Sequence, residues 1–289
     1  MSSKVQVTPN GPQLSLGEGP HWDEKTKTLY YVDIVESAIH RYVPHKMNIV
    51  IANSKGKEDS EFVVGLERDV VHVVWDLKSN KPTATKVLCS AEEDRGRNRL
   101  NDGKVDPTGR LWAGTMLHLG EVDNYPFSSH LYSFDKGSKP KRHLSEIAIS
   151  NGLCKHMIMT NPSTTYHASP LKTMSGFAIR IFDFKANNVE GFPDGMTIDS
   201  EGKLWVAVYS GAKVIRVDPD TGKLLYTLPI PSWEVTSVVF GGPNLDELYV
   251  TSANQFKNNP KDKYPQPGQT FKVTNLGVKG TPSVSIKLN

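Results

Sequence analysis

The sequence predicts an all-β protein, a six-bladed β-propeller with four-stranded antiparallel blades, spanning residues 1–289 as a single domain. Three observations carry this. A strand-and-turn unit recurs six times, a second hairpin unit comes before several of its copies, and no stretch reads as a long amphipathic helix.

The recurring unit is a short strand that runs into a polar turn. Its copies are Ile39–Tyr42, His72–Trp75, His130–Phe134, Ile179–Phe182, Val214–Val217 and Thr270–Val273. Their mean spacing is about 46 residues, the length of a propeller blade. The second unit reads Asp, polar turn, Leu-aromatic strand. It occurs at Trp22-Asp23 to Leu29-Tyr30-Tyr31, at Asp106 to Leu111-Trp112, at Asp199 to Leu204-Trp205 and more loosely at Asn244 to Leu248-Tyr249. Such turns flanked by aromatic and branched residues are hairpin signals. A β-sandwich would need the six copies to arise by accident. A lone blade cannot bury its faces, so the repeats are expected to close on one another.

Composition narrows the partners. The net charge is +3, and Lys and Arg are dispersed, the densest patch being the loop Lys136–Arg142. Nucleic-acid binding through phosphates needs a clustered basic face, so none is expected. Residues 1–13 carry no apolar signal-peptide core, and no run reaches the ~18 apolar residues that span a membrane. Two cysteines, Cys89 and Cys154, do not make a disulfide framework in a chain this long. The expectation is a cytoplasmic monomer acting on a small-molecule substrate, with no membrane partner.

The repeat phase also marks a site. Glu18 lies five residues before Asp23, Asn101 five before Asp106, and Asp194 five before Asp199. Asn151, in Ser150-Asn151-Gly152-Leu153, reads as a fourth copy, and Thr236-Ser237 holds the same phase. Equivalent positions of successive blades lie at one height around one axis, so these oxygen-bearing side chains are expected to converge. Converging carboxylates and amides call for a counter-charge, and a divalent cation supplies it. Oxygen donors favour Ca²⁺, Mg²⁺ or Mn²⁺, while Zn²⁺ stays open because occupancy also follows availability. The same residue types cap backbone turns, and spacing alone leaves both readings open. Other chemistries lack their motifs: there is no Gly-x-Ser-x-Gly and no His-Glu-x-x-His. His21, near Glu18, reads equally as a pocket-lining residue and as a half-buried turn histidine.

The strings that carry this phase resemble the gluconolactonase family, which includes regucalcin and insect luciferin-regenerating enzyme. They are Leu16–Asp23, Asn98–Pro107, Ile149–Leu153 and Phe192–Asp199, and the runs Val235–Ala253 and Phe271–Gly280 resemble the insect members. The resemblance implies a six-bladed propeller with one axial divalent ion. It implies that Glu18, Asn151 and Asp194 are the metal ligands, that Arg99 and Asn101 contact substrate, and that Asp194 is the general base. Some relatives carry a substrate-binding Glu after the Gly-Thr-Met motif. Here Glu121 follows Gly114-Thr115-Met116 slightly late.

The implied reaction is metal-dependent hydrolysis of a lactone. The resemblance carries two alternatives: regeneration of luciferin from an aromatic nitrile product of the light reaction, and a regucalcin-like calcium-binding regulatory role. Departures from the family pattern at Val50–Glu61, Cys154–Asn161 and Phe182–Gly191 predict trimmed second and fourth blades, with Pro162–Gly176 as an irregular loop.

Overall fold

A computed structural model gives the fold. It describes residues 2–44, 60–76, 81–92, 97–117, 128–135, 139–147, 149–154, 157–161, 169–174, 177–180, 182–255, 260 and 262–286. No helix forms among them, and none is long and apolar enough to cross a membrane.

The strands run in chain order as β1 (Lys4–Val7), β2 (Gly17–Asp23), β3 (Thr28–Asp33), β4 (Ala38–Tyr42), β5 (Ser60–Leu66), β6 (Asp69–Trp75) and β7 (Ala84–Ser90). Then come β8 (Asn98–Val105), β9 (Leu111–Leu117), β10 (Ser129–Phe134), β11 (Lys141–Ile147), β12 (Ile149–Cys154), β13 (Met157–Asn161), β14 (Ser169–Met174) and β15 (Phe177–Arg180). The remainder are β16 (Phe192–Ile198), β17 (Leu204–Tyr209), β18 (Lys213–Asp218), β19 (Lys223–Pro229), β20 (Glu234–Gly241), β21 (Glu247–Ala253) and β22 (Phe271–Thr274).

Contacts divide the chain into two compact units, Met1–Ile51 with Ile179–Ser283, and Ala52–Ala178 with Val284–Asn289. The first holds three antiparallel sheets, β2-β3-β4, β16-β17-β18-β19 and β1-β22-β21-β20. In the last, the first strand of the chain pairs with the last, Lys4 opposite Thr274 and Val7 opposite Phe271. In two of these sheets burial falls towards one end, from β16 and β17 to β19 and from β20 to β1. Every residue of β20 is buried, whereas β19 exposes Leu224, Leu225 and Tyr226. Lys223 on that exposed edge discourages pairing with another chain. Trp205, Phe240, Val250 and Phe271 form one core, and Trp22, Tyr31, Tyr42 and Tyr249 another, Trp22 stacking on Tyr249.

The second unit contains β5-β6-β7 and, as far as Ala178 within β15, an eight-stranded sheet, β11-β10-β9-β12-β13-β14-β15 with β8 on β9. The sequence predicts six separate blades, and the described residues form five sheets. The reason is local. The larger sheet consists of two four-stranded runs, β8–β11 and β12–β15, fused where Ile149 of β12 pairs with Met116 of β9. Gly114, two residues along β9, allows this approach. A Cβ there would collide with the Ser150 side chain.

The repeats fall on strands as expected, with two differences. Five copies of the first unit lie on β4, β6, β10, β18 and β22, but the copy at Ile179–Phe182 meets β15, the fourth strand of its run. The copy on β6 assigns β5–β7 to the second, third and fourth places of a blade, and residues 45–59, ahead of them, lie outside the described residues. Part of the expected loop at Pro162–Gly176 is strand: β14 pairs with β13, Met157 opposite Lys172 and Thr160 opposite Ser169.

Candidate functional site

The phase read from the sequence is a structural feature of the strands. Five strands, each first in its antiparallel run, break register at that phase. The shifts lie between Glu18 and His21 in β2, Leu100 and Gly103 in β8, and Asn151 and Leu153 in β12. They lie between Pro193 and Met196 in β16, and Val235 and Ser237 in β20. A bulge inserts an unpaired residue, bends the strand and re-aims a side chain, and bulges collect beside functional sites. Each of Glu18, Asn101, Asn151, Asp194 and Thr236 lies in or at the edge of one. Gly19 and Gly152, with φ of 54° and 50°, take the left-handed backbone conformation that these bulges need.

In the unit that holds β8 and β12, three predicted residues meet. Arg99 is 8% exposed, too buried for a surface ion pair. Its Nη1 donates to Leu100 O at 2.8 Å and to Asn101 Oδ1 at 3.0 Å. Asn101 Nδ2 donates in turn to Ser150 O at 2.9 Å and to Asn151 Oδ1 at 2.5 Å. A carboxamide oxygen has two lone pairs, so Asn151 Oδ1 can take this hydrogen bond and still coordinate an ion. The neighbouring Asp102 was not singled out by the sequence. Its carboxylate accepts the N–H groups of Gly103, at 2.8 Å, and of Gly152 and Leu153. Burial pushes its pKa up, against the pull of Lys104 and these amides.

In the other unit, Glu18 and Asp194 stand on strands that flank β20. Thr236 Oγ1 of β20 donates to Gly17 O of β2 at 2.5 Å, and a Cβ on Gly195 of β16 would collide with Ser237 of β20. Glu18 is half-buried and accepts Gly19 N at 3.1 Å, while Asp194 is 8% exposed. Both carboxylates act on Tyr209, at the end of β17. Burial raises the phenol's pKa most, followed by Glu234, Asp194 and Glu18. Tyr209 donates to Oε1 of the fully buried Glu234 at 3.0 Å, and Gln255 N donates to the same carboxylate. Neither Tyr209 nor Glu234 was legible as a site residue, since each lies outside the repeated motif. His21 is exposed on β2, so it is not buried beside Glu18. Glu121 lies outside the described residues.

On donor chemistry the residues fit a hard divalent cation. Glu18 and Asp194 supply carboxylates and Asn151 a carboxamide, all oxygen donors on equivalent bulges. Among the described residues no three His, Cys, Asp or Glu side chains gather as a metal cage. The predicted set, with an Asn as third member, is not of that composition.

Residues 16–254 match the family model described as SMP-30/Gluconolactonase/LRE-like region. Regucalcin of Xenopus laevis is 34% identical, with 92% of each chain covered. The solved structure of a luciferin-regenerating enzyme superposes with a TM-score of 0.88 at 38% identity, covering 99% of this chain and 100% of that one. A calcium-binding regucalcin from Agrobacterium tumefaciens gives a TM-score of 0.76 at 24% identity, over 96% and 95% of the two chains, and shows the fold alone. The fold class is the all-β propeller. With relatives a third identical over nine-tenths of its length and one family model spanning most of it, the chain belongs to the SMP-30/gluconolactonase/LRE-like family.

Proposed function

We propose that the chain is a divalent-metal-dependent hydrolase of lactones, folded as one six-bladed domain with Glu18, Asn151 and Asp194 as ligands. The observation that carries this is the placing of all three on equivalent bulges, each with an oxygen donor. The metal is one of Ca²⁺, Mg²⁺, Mn²⁺ or Zn²⁺. Membership of a family that includes gluconolactonases supports the reaction class. A cation held there would polarise the carbonyl of a cyclic ester and acidify an attacking water.

The chain's own groups do the rest. Asp194 accepts the proton of the attacking water, a contribution typically worth ~10²–10⁴-fold. Arg99, already oriented by Leu100 O and Asn101 Oδ1, steadies the negative charge that develops on the carbonyl oxygen. Asn101 holds Asn151 and contacts substrate oxygens, and Glu121 adds a further substrate contact. The protein works as a cytoplasmic monomer on a small molecule, with no nucleic-acid or membrane partner.

The 38% identity to a luciferin-regenerating enzyme, over the whole chain, favours a second reading. In it the same site takes the aromatic nitrile product of a light reaction. Regucalcins about a third identical over nine-tenths of the chain keep a third, calcium-binding regulatory reading in play.

Hydrolysis of glucono-δ-lactone and of an aromatic lactone by metal-stripped protein separates these. Turnover is expected to return on adding one of the four cations, and to fall by at least ~10²-fold in Asp194→Ala. Turnover of the nitrile but not of lactones would select the luciferin reading. Tight Ca²⁺ binding with no turnover of either would leave the regulatory one.

A further inference from the structure

We propose that Asp102 is a positioning residue: its carboxylate holds the bulge of β12 and thereby sets the carboxamide of Asn151. As far as it concerns a cation, the inference rests on the metal reading above.

The argument begins with the bulge. At Asn151–Leu153 the strand β12 leaves its register with β13, and Gly152 turns to a φ of 50°. The amide N–H groups at such a break lose their ladder partners. Left unsatisfied in a crowded place, each would lose its bond to water with nothing in exchange. Asp102 meets this need from the neighbouring strand, accepting the N–H groups of Gly152 and Leu153 as well as that of Gly103.

Asn101, one residue earlier, grips the other side of the same bulge. Its Nδ2 donates to Ser150 O at 2.9 Å and to Asn151 Oδ1 at 2.5 Å. The dipeptide Asn101-Asp102 is therefore a two-sided clamp. The amide supplies a donor to the carbonyl before the bulge, and the carboxylate supplies acceptors to the amides after it. The two consecutive side chains can serve one target because β8 is itself bulged there, with its register shifted between Leu100 and Gly103. Asn101 fixes where Oδ1 of Asn151 sits, and Asp102 fixes the backbone that carries it. Partners of this kind, one bond removed from a ligand, commonly change metal affinity by 10–100-fold when lost.

The experiment uses the full chain with Asp102→Asn, which keeps size and one acceptor but places an NH₂ against the amides. Asp102→Ser is the second variant, should the first not fold. Amide hydrogen exchange is followed by NMR on the metal-free protein, and cation binding (Mn²⁺, then Ca²⁺) by calorimetry. We expect exchange at Gly152 and Leu153 to quicken by roughly tenfold or more, selectively. Cation affinity should fall about 10–100-fold, and the metal-free protein should stay folded with its melting temperature lowered by roughly a few degrees.

Unchanged exchange at the two amides overturns the proposal. So does a loss of affinity that comes with equally faster exchange throughout β8–β12, since Asp102 would then be merely structural. Wild-type protein that binds neither cation overturns the metal reading instead, and the exchange result still decides whether Asp102 holds the bulge.

Discussion

Asp106 shows how much one side chain can organise. Its Oδ1 accepts Thr108 N, Thr108 Oγ1 and Arg110 N, and its Oδ2 accepts Arg110 Nε at 3.1 Å and Trp112 Nε1 at 2.9 Å. Asp199 repeats the arrangement two four-stranded runs later, with Glu201 N, Lys203 N, Trp205 Nε1 and Arg216 Nε. Burial alone would raise the Asp106 pKa, but the bonds from Thr108, Trp112 and Arg110 outweigh it and hold the carboxyl well below the usual range. A depressed folded pKa gives stability that is fully present above the unfolded value, near 3.9, and is lost as pH falls through the folded one. Asp106→Ala should therefore lower stability at pH 7 by about 1–2 kcal/mol through lost turn hydrogen bonds. It should also flatten the acid limb of the stability curve below pH ~4. Urea melts at stepped pH check both. An acid limb as steep as in the wild type would show that the carboxylate contributes no linkage.

The elements that matter most are the bulged strands, and their packing tolerates little bulk. A Cβ on Gly195 would lie 2.8 Å from the Cα of Ser237, so β16 or β20 would have to shift. Gly202, in the Asp199 turn, has a φ of 74° with no atom within 4 Å of such a Cβ. Gly195→Ala should cost about 1–3 kcal/mol by overpacking, and Gly202→Ala about 1–2 by left-handed strain. Only the first should lower turnover, because Gly195 adjoins Asp194. Equal turnover losses in the two would mean that destabilisation, not displacement of Asp194, is read out. The repeats and the Glu18, Asn101, Asn151 and Asp194 phase were legible in the sequence, because Asp-turn chemistry and strand alternation are local. The fusion of β12 to β9 was not, since it depends on Ser150 meeting Gly114 across strands far apart in sequence. Asp102 stood inside a recognised string, yet its role needs the amides of Gly152 and Leu153, some fifty residues on. Strand β14 was read as loop because Ser169-Pro170-Leu171-Lys172-Thr173-Met174 holds a proline and no apolar-polar alternation.

At the scale of the chain, the feature with most leverage is the return of the N-terminal strand to the last sheet. Lys4–Val7 pairs with Phe271–Thr274 in register, Val5 and Val7 pack on the core that includes Phe271 and Val273, and Thr8 N donates to Thr270 O at 2.8 Å. Without β1, β22 becomes an open edge with unpaired donors and acceptors. Removing residues 1–8 forfeits a few net hydrogen bonds of ~0.5–1.5 kcal/mol each. It also forfeits part of the ~1.5–3 kcal/mol that a fully buried valine contributes, for two half-buried ones. Together these make a loss of roughly 3–5 kcal/mol, a large share of the 5–15 kcal/mol that holds a typical domain together. The truncated chain should therefore unfold at a clearly lower urea midpoint and aggregate through β22. Because the β1–β22 ladder joins residues some 270 apart, its formation is expected late in folding. Deletion should then speed unfolding far more than it slows refolding. Chevron plots of the two chains decide this. A refolding arm slowed as much as the unfolding arm is quickened would place β1 in the folding nucleus and overturn the late-closure reading.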